Sequence, residues 1–366
     1  MLISVIVLLT VLAIAIYIFM QQPQFGKLPS GERLERIKKS PNYRDGSFQN
    51  LHNTPALTEG ASYMGVLKEF LFNKNDRKKP SANLPSVKTD LFKLPADSNY
   101  LVWFGHSSYF MQLDGKKFLV DPVFSGSASP LPGGTKAFMG SDIYKAEDIP
   151  DIDFLLITHD HWDHLDYKTI KQLKSKTKNV VCALGVGEHL EYWGYDKKII
   201  LEQDWYDSID LAPGFKIILT PGRHFAGRTF KRNTSLWTSF VLKTPTQNIF
   251  LGGDSGYDTH FAQIGNKYGP FDLAIIENGQ YDKSWRYIHL LPEEFLIAAK
   301  DINAKKILPV HSSKFGLGNH SWDEPLKKVT ENNLVAHLNL VTPMIGEPLR
   351  LGDSTQVFSN WWENRK

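Results

Sequence analysis

The stretch from His159 to His164 places three imidazoles, His159, His161 and His164, and the carboxylate of Asp163 at fixed offsets within six residues. Neutral imidazoles and carboxylates are the donors that zinc takes when thiolates are scarce. Thiolates are scarce here. The chain has one cysteine, Cys182, inside the apolar run Val180 to Leu184, where it reads as a small buried residue. A single cysteine excludes an intramolecular disulfide and a cysteine-based zinc cluster. Alternate positions such as His159 and His161 can point the same way from an extended turn, while Asp163 and His164 reach a second ion. The chemistry implied is metal-assisted hydrolysis with two zinc ions; Mn2+ or Fe2+ would suit the same donors. Three His and one Asp at these offsets arise by chance in roughly one chain in a thousand, which argues against a merely solvated polar loop.

Such a run needs elements to position it. It follows directly on the apolar stretch Phe154 to Thr158, which reads as a strand. Other residues of ligand type follow strands in the same way. His224 comes after Lys216 to Thr220, Asp254 after Asn248 to Leu251 and two glycines, and His311 immediately after Lys306 to Val310. Sites in α/β sheets assemble at the C-terminal ends of strands, so these residues form one candidate set. His106 and Asp121 also close strands, Tyr100 to Phe104 and Lys117 to Val120. Asp121 is expected to orient a ligand imidazole, because metal-bound histidines usually hand their other N–H to a carboxylate or carbonyl. Further strands are expected over Tyr109 to Leu113, Val180 to Leu184, Lys198 to Leu201, Trp237 to Lys243 and Asp272 to Ile276. Helices are expected over Lys168 to Lys174, Gly187 to Tyr192, His260 to Lys267 and Glu293 to Asp301. Strands interleaved with helices indicate a layered α/β domain.

The bulk properties narrow the partners. A net charge of +3 on 366 residues gives no support for nucleic-acid binding, and 42% hydrophobic residues describe a folded chain. Leu2 to Met20 carries no charge and, at 1.5 Å per residue, spans about 28 Å as a helix, close to a bilayer core. No Lys or Arg precedes it and its apolar part exceeds a usual signal h-region, so an uncleaved single-pass anchor is expected rather than a cleaved leader. Lys27, Arg33, Arg36, Lys38, Lys39 and Arg44 follow, which by the positive-inside rule puts the catalytic body on the cytoplasmic side. The expected divisions are a transmembrane anchor over residues 1–22, an N-terminal extension over 23–95 with an amphipathic helix near Ala61 to Phe72, a hydrolase domain over 96–345 and a C-terminal tail over 346–366.

These residues resemble the metallo-β-lactamase fold superfamily and, within it, the N-acylphosphatidylethanolamine-hydrolysing phospholipase D group and its bacterial relatives. The similarity runs from about Ser40 to Pro343. It is carried by Ser40 to Gly46, Gly105 to Ser108, Val120 to Phe124, Thr158 to Asp166, Arg223-His224 with Arg228-Thr229, Gly253 to Tyr257, Gly269 to Ala274, and His289 with Pro292-Glu293-Glu294. The resemblance implies an αββα four-layer sandwich with two metals at one edge. It assigns His159, His161 and His224 to the first ion, Asp163, His164 and His311 to the second, and Asp254 to both. Its departures fall on the substrate side: Phe225 where tryptophan is common, Glu277 to Tyr281, and Ser312 to Phe315.

His289, just before a helix start, is a candidate general acid for the leaving group or a capping histidine, and it is counted with Asp163 as catalytic. Arg223, Arg228, Lys231 and Arg232 around His224 read either as a solvated basic loop or as a phosphate-binding rim, with Arg228 and Arg232 the candidate substrate contacts. Ser125 to Gly140 reads as a surface loop or a substrate lid. Trp361 and Trp362 either touch a membrane interface or cap the core. The expected activity is phospholipase D-type cleavage of a phospholipid or small phosphodiester, at a membrane and without nucleic acid; a homodimer is compatible with it. The rival activity is that of a lactonase or other ester hydrolase of the same fold, and a non-catalytic membrane scaffold would show lost ligands, of which there is none.

Overall fold

Two sheets stack face to face, and helices cover both outer faces. The computed structural model describes residues 2–72 and 75–363. The first sheet contains β3 (Tyr100–Trp103), β4 (Tyr109–Leu113), β5 (Lys116–Val120), β6 (Ile152–Ile157), β7 (Thr177–Ala183), β8 (Ile200–Gln203) and β15 (Pro348–Arg350), in the order β15-β3-β4-β5-β6-β7-β8. The second contains β9 (Ser208–Ala212), β10 (Phe215–Thr220), β11 (Ser239–Lys243), β12 (Asn248–Leu251), β13 (Leu273–Glu277) and β14 (Ile307–Val310), in the order β14-β13-β12-β11-β10-β9. Each sheet is antiparallel on one side and parallel on the other, and β5 to β8 and β12 to β14 form the parallel parts.

The layering follows from the period-two alternation of side chains along a strand. Leu101 and Trp103 of β3 and Ile217 and Leu219 of β10 enter one shared core between the sheets. Their neighbours Val102 and Ile218 point outward, under different helices. Helices α4 (Tyr167–Leu173) and α5 (Gly187–Tyr192) cover the first sheet through Ile170, Leu173 and Leu190. Helices α6 (His260–Tyr268), α7 (Pro292–Ile302) and α8 (Glu324–Ala336) cover the second through Phe261, Phe295 and Val329. With both faces covered, these strands read as near-continuous apolar runs. The result is the αββα sandwich.

The flanking regions join this body. In the N-terminal extension, α2 (Gly31–Lys38) brings Arg33 onto Glu188, Glu202 and Glu191 at 2.6, 2.7 and 3.1 Å. A short hairpin, β1 (Tyr43–Arg44) with β2 (Ser47–Phe48), buries Phe48 in the inter-sheet core. The stretch read from sequence as a tail supplies β15, which pairs with β3, and buries both Trp361 and Trp362 in the same core. Those tryptophans therefore cap the core. The helix expected near Ala61 to Phe72 forms as α3 (Tyr63–Phe72), but it buries none of its residues. Helix α1 (Leu2–Met20) is long and apolar enough to cross a membrane and is unburied throughout; a signal sequence has the same character.

Candidate metal centre

Strand ends bring the candidate residues together. His159 lies two residues past β6, His224 four past β10 and Asp254 three past β12, while His311 directly follows β14. Gly253 permits the approach of Asp254. A Cβ there would lie 2.6 Å from the Thr238 carbonyl oxygen and 3.1 Å from Thr158. His106, Asp121 and His311 hold left-handed backbone, with φ of +54°, +41° and +66°. Non-glycine residues adopt that region at a cost, and such strain gathers at functional sites.

Two groups of donors meet at Asp254. In the first, His159 Nε2 and His224 Nε2 lie 2.9 and 3.2 Å from His161 Nδ1, and Asp254 Oδ2 is 3.7 Å from His224 Nε2. In the second, His164 Nε2 lies 3.2 Å from Asp254 Oδ2 and 3.5 Å from Asp163 Oδ2. His311 adjoins both carboxylates, with Nδ1 3.1 Å from Asp254 Oδ1. All seven residues are buried except His161, which is half-buried.

The donors fit divalent metal. His224 Nδ1 donates to the Ile288 carbonyl, so its Nε2 carries a lone pair aimed at another imidazole nitrogen. Buried His164 Nε2, His311 Nε2 and Asp254 Oδ1 make no hydrogen bond. Buried polar atoms are rarely left so, and a shared cation would satisfy all of them. Burial drives His159, His224 and His311 well below the usual imidazole range, which leaves them as neutral donors. Burial opposes ionisation of Asp163 and Asp254, yet His164 beside them holds both well below the usual carboxylate range. The pocket thus sets lone pairs and negative charge around a place suited to positive charge.

A surrounding set of residues fixes these donors. Asp121 accepts from Thr158 N, Thr158 Oγ1 and His164 Nδ1, at 2.9, 2.6 and 2.8 Å. His106 Nε2 meets Asp163 Oδ2 at 2.8 Å, and Ser107 Oγ meets His311 Nδ1 at 2.9 Å. The structure sets His106 against Asp163 and Asp121 against His164, both candidate ligands. His289 Nδ1 lies 3.0 Å from Glu277 Oε2, and its ring is 5.1 Å from that of His224. Glu277 ends β13 and is buried; burial pushes its carboxyl up to about 7 against the pull of His289. Sequence reasoning passed over Glu277 as a ligand-side residue, although the strand-end rule that found Asp254 and His311 would have found it.

The arginines divide. Arg228 is buried, stacks 3.9 Å over Trp162 and donates to the carbonyls of Asp160, Leu165 and Gln24. Four of its five N–H groups are used on backbone, so it braces the loop His159 to His164. Arg232 is exposed, lies over the Phe225 ring and lines a cavity of about 300 Å³ that also reaches His224. Asn50 ties the N-terminal extension to this place, accepting from His224 N and donating to His224 O. His189 meets Asp160 at 3.1 Å and accepts from Lys27 N. The Ser125 to Gly133 part of the expected lid borders a different cavity, of about 410 Å³, with Gln24 and Trp162 on the outer side of the metal loop.

An αββα sandwich with histidines and aspartates clustered at its strand ends is a metal-dependent hydrolase by class. The chain belongs to the β-lactamase superfamily: the model of the β-lactamase superfamily domain matches residues 116–312. An uncharacterised protein of Mycobacterium tuberculosis is 32% identical over 335 residues, covering 89% of this chain and 88% of that protein. The N-acyl-phosphatidylethanolamine-hydrolyzing phospholipase D 1 of Caenorhabditis elegans is 29% identical over 304 residues, 78% of this chain and 84% of its own. Among solved structures, the metallo hydrolase Igni18 of Ignicoccus hospitalis superposes with a TM-score of 0.52 at 20% identity, over 69% of this chain and 97% of its own, a likeness of fold.

Proposed function

We propose that this protein is a dinuclear zinc phosphodiesterase of phospholipase D type that cleaves N-acyl phospholipids. The observation that carries the reading is Asp254, set between the His159, His161, His224 group and the Asp163, His164, His311 group. The first group would hold one ion, the second group the other, and Asp254 both. Bound there, two divalent ions would lower the pKa of a water and polarise the phosphoryl oxygens. The remaining work falls to the chain. Asp121 and His106 keep His164 and Asp163 in place. His289, its Nδ1 held by Glu277, presents Nε2 to the leaving oxygen and gives it a proton. Arg232 offers a guanidinium to a phosphate at the cavity mouth, and Leu57, Val66, Phe225, Trp285 and Ile288 offer an apolar wall to an acyl chain. A lactone needs no such cation.

The test combines metal analysis of the purified full chain with hydrolysis of N-acyl phosphatidylethanolamine, a simple phosphodiester and lactones. Two equivalents of zinc and release of N-acylethanolamine are expected. Activity confined to lactones would sink the substrate class. Asp254→Ala should lose activity and metal together; a fully active Asp254→Ala would overturn the mechanism.

A further inference from the structure

Helix α3 is anomalous for a folded protein. Its inner side touches the body through Val66, through Glu69, which accepts from Asn319, and through Phe70, stacked 6.1 Å from Trp285. Its outer side is apolar as well. Tyr63, Leu67 and Leu71 follow one another at four-residue spacing, with Met64 and Phe72 beside them, and all five are exposed. Leu71 is 57% and Phe72 79% accessible. A contiguous exposed apolar stripe of this kind marks an interaction surface. Lys68 and Lys79 are exposed at the same segment.

We propose that α3 is an interfacial helix whose outer stripe lies on a lipid bilayer, which sets the cavity beside the metal centre at the bilayer surface. This rests on the lipid-hydrolase reading above for its purpose. Two observations select a bilayer as the occupant. First, α3 is part of that cavity: Tyr63 and Val66 line it together with His224, Phe225 and Arg232. Second, the other unburied apolar helix, the candidate membrane span α1, is joined to the body beside the loop His159 to His164. Following α1, Phe25 packs edge-on at 5.2 Å against Trp162, whose neighbour His161 lies 4.4 Å, ring to ring, from Phe225. A bilayer crossed by α1 would therefore lie against the same body that carries α3. Apolar side chains with flanking lysines are the composition of helices that lie in a headgroup layer containing anionic lipid.

The experiment uses the full chain reconstituted in phosphatidylcholine vesicles containing phosphatidylglycerol. Leu71→Cys is labelled with an environment-sensitive fluorophore; Cys182 is fully buried and stays unlabelled. Val335→Cys on α8, also exposed, is the reference position. The expected result is a blue shift at position 71 and quenching by lipids with a nitroxide high on the acyl chain, with neither at position 335. Equal, absent quenching at both positions would overturn the proposal. So would a blue shift in lipid-free detergent that grows with protein concentration, because a second copy would then cover α3. In a second arm, Leu71→Glu with Phe72→Glu should raise KM for vesicle substrate about tenfold and leave turnover of a soluble diester unchanged. Unchanged KM on vesicles counts against the proposal. The quenching readout does not depend on catalysis, so lipid contact at position 71 without phospholipid hydrolysis upholds the surface and removes only the substrate.

Discussion

Replacing Asp121 with Asn isolates one link between the scaffold and the metal donors. The side chains have the same shape, and asparagine tolerates the left-handed backbone held here at φ +41°. Asp121 receives three hydrogen bonds, from Thr158 N, Thr158 Oγ1 and His164 Nδ1. The amide has one oxygen to offer. If it keeps Thr158 N, its NH2 group faces His164 Nδ1–H, donor against donor; if it turns over, it faces the Thr158 amide in the same way. Either way a buried donor loses a charged acceptor, a loss of about 1.5–3 kcal/mol. His164 then no longer presents Nε2 in a fixed direction, and affinity for its ion should fall roughly 10- to 100-fold. The assay is competitive titration of demetallated protein against a zinc chelator of known affinity, with near-ultraviolet circular dichroism to verify the fold. One zinc equivalent should weaken and the other, on His159, His161 and His224, should hold. Wild-type affinity for both equivalents would refute the reasoning, because His164 would then be either not a ligand or not oriented by Asp121.

The other predictions concern stability. Trp362→Ala removes a side chain that is 1% accessible in the inter-sheet core and should cost about 3–5 kcal/mol, seen as a lower urea midpoint; an unchanged midpoint would mean the last residues are dispensable. Arg33→Met leaves Glu188 and Glu202 without their shared counter-charge, for a loss near the lower end of about 3–5 kcal/mol, since Lys27 and the Gly185 and Gly187 amides still serve those carboxylates. Calorimetry should show this as a lower Tm at neutral pH. Burial opposes ionisation of Glu188, but Arg33 holds it below its ordinary value of 4.5. Its contribution is therefore present above that pH and fades as pH falls. The acid limb of the stability curve should flatten in Arg33→Met, and identical limbs would contradict the assignment.

What was legible in the sequence was local. Strands buried on both faces appear as apolar runs, so Asn248–Leu251 and Tyr109–Leu113 are found at their observed bounds. Because residues that follow strands meet at one edge of such a sandwich, reading the strands put His224, Asp254 and His311 into one candidate set, and the structure gathers them around His159 and His164. What escaped depends on contacts between distant segments. β15 has three residues, too few for a period, and exists through its pairing with β3 some 250 residues away. The polar helix α8 buries only Pro325, Leu326 and Val329, a weak stripe. Nothing near Asn50 announces that it clasps the backbone of His224 across 174 residues. Arg228 resembled a phosphate ligand by type and place, and only the three carbonyls around it reveal a brace.

The segment just after α1 also decides where the chain tolerates a cut. Nothing in α1 is buried, whereas the next few residues serve the metal loop from behind. Gln24 receives Arg228, Phe25 meets Trp162, and the Pro23 carbonyl accepts from Trp193. A protease acting between Met20 and Pro23 would free a body with its metal loop still braced. One acting only a few residues later would take the brace away with the helix. Two shortened chains differing by a handful of residues would then behave as different proteins, one with the loop His159 to His164 held in place and one with it released.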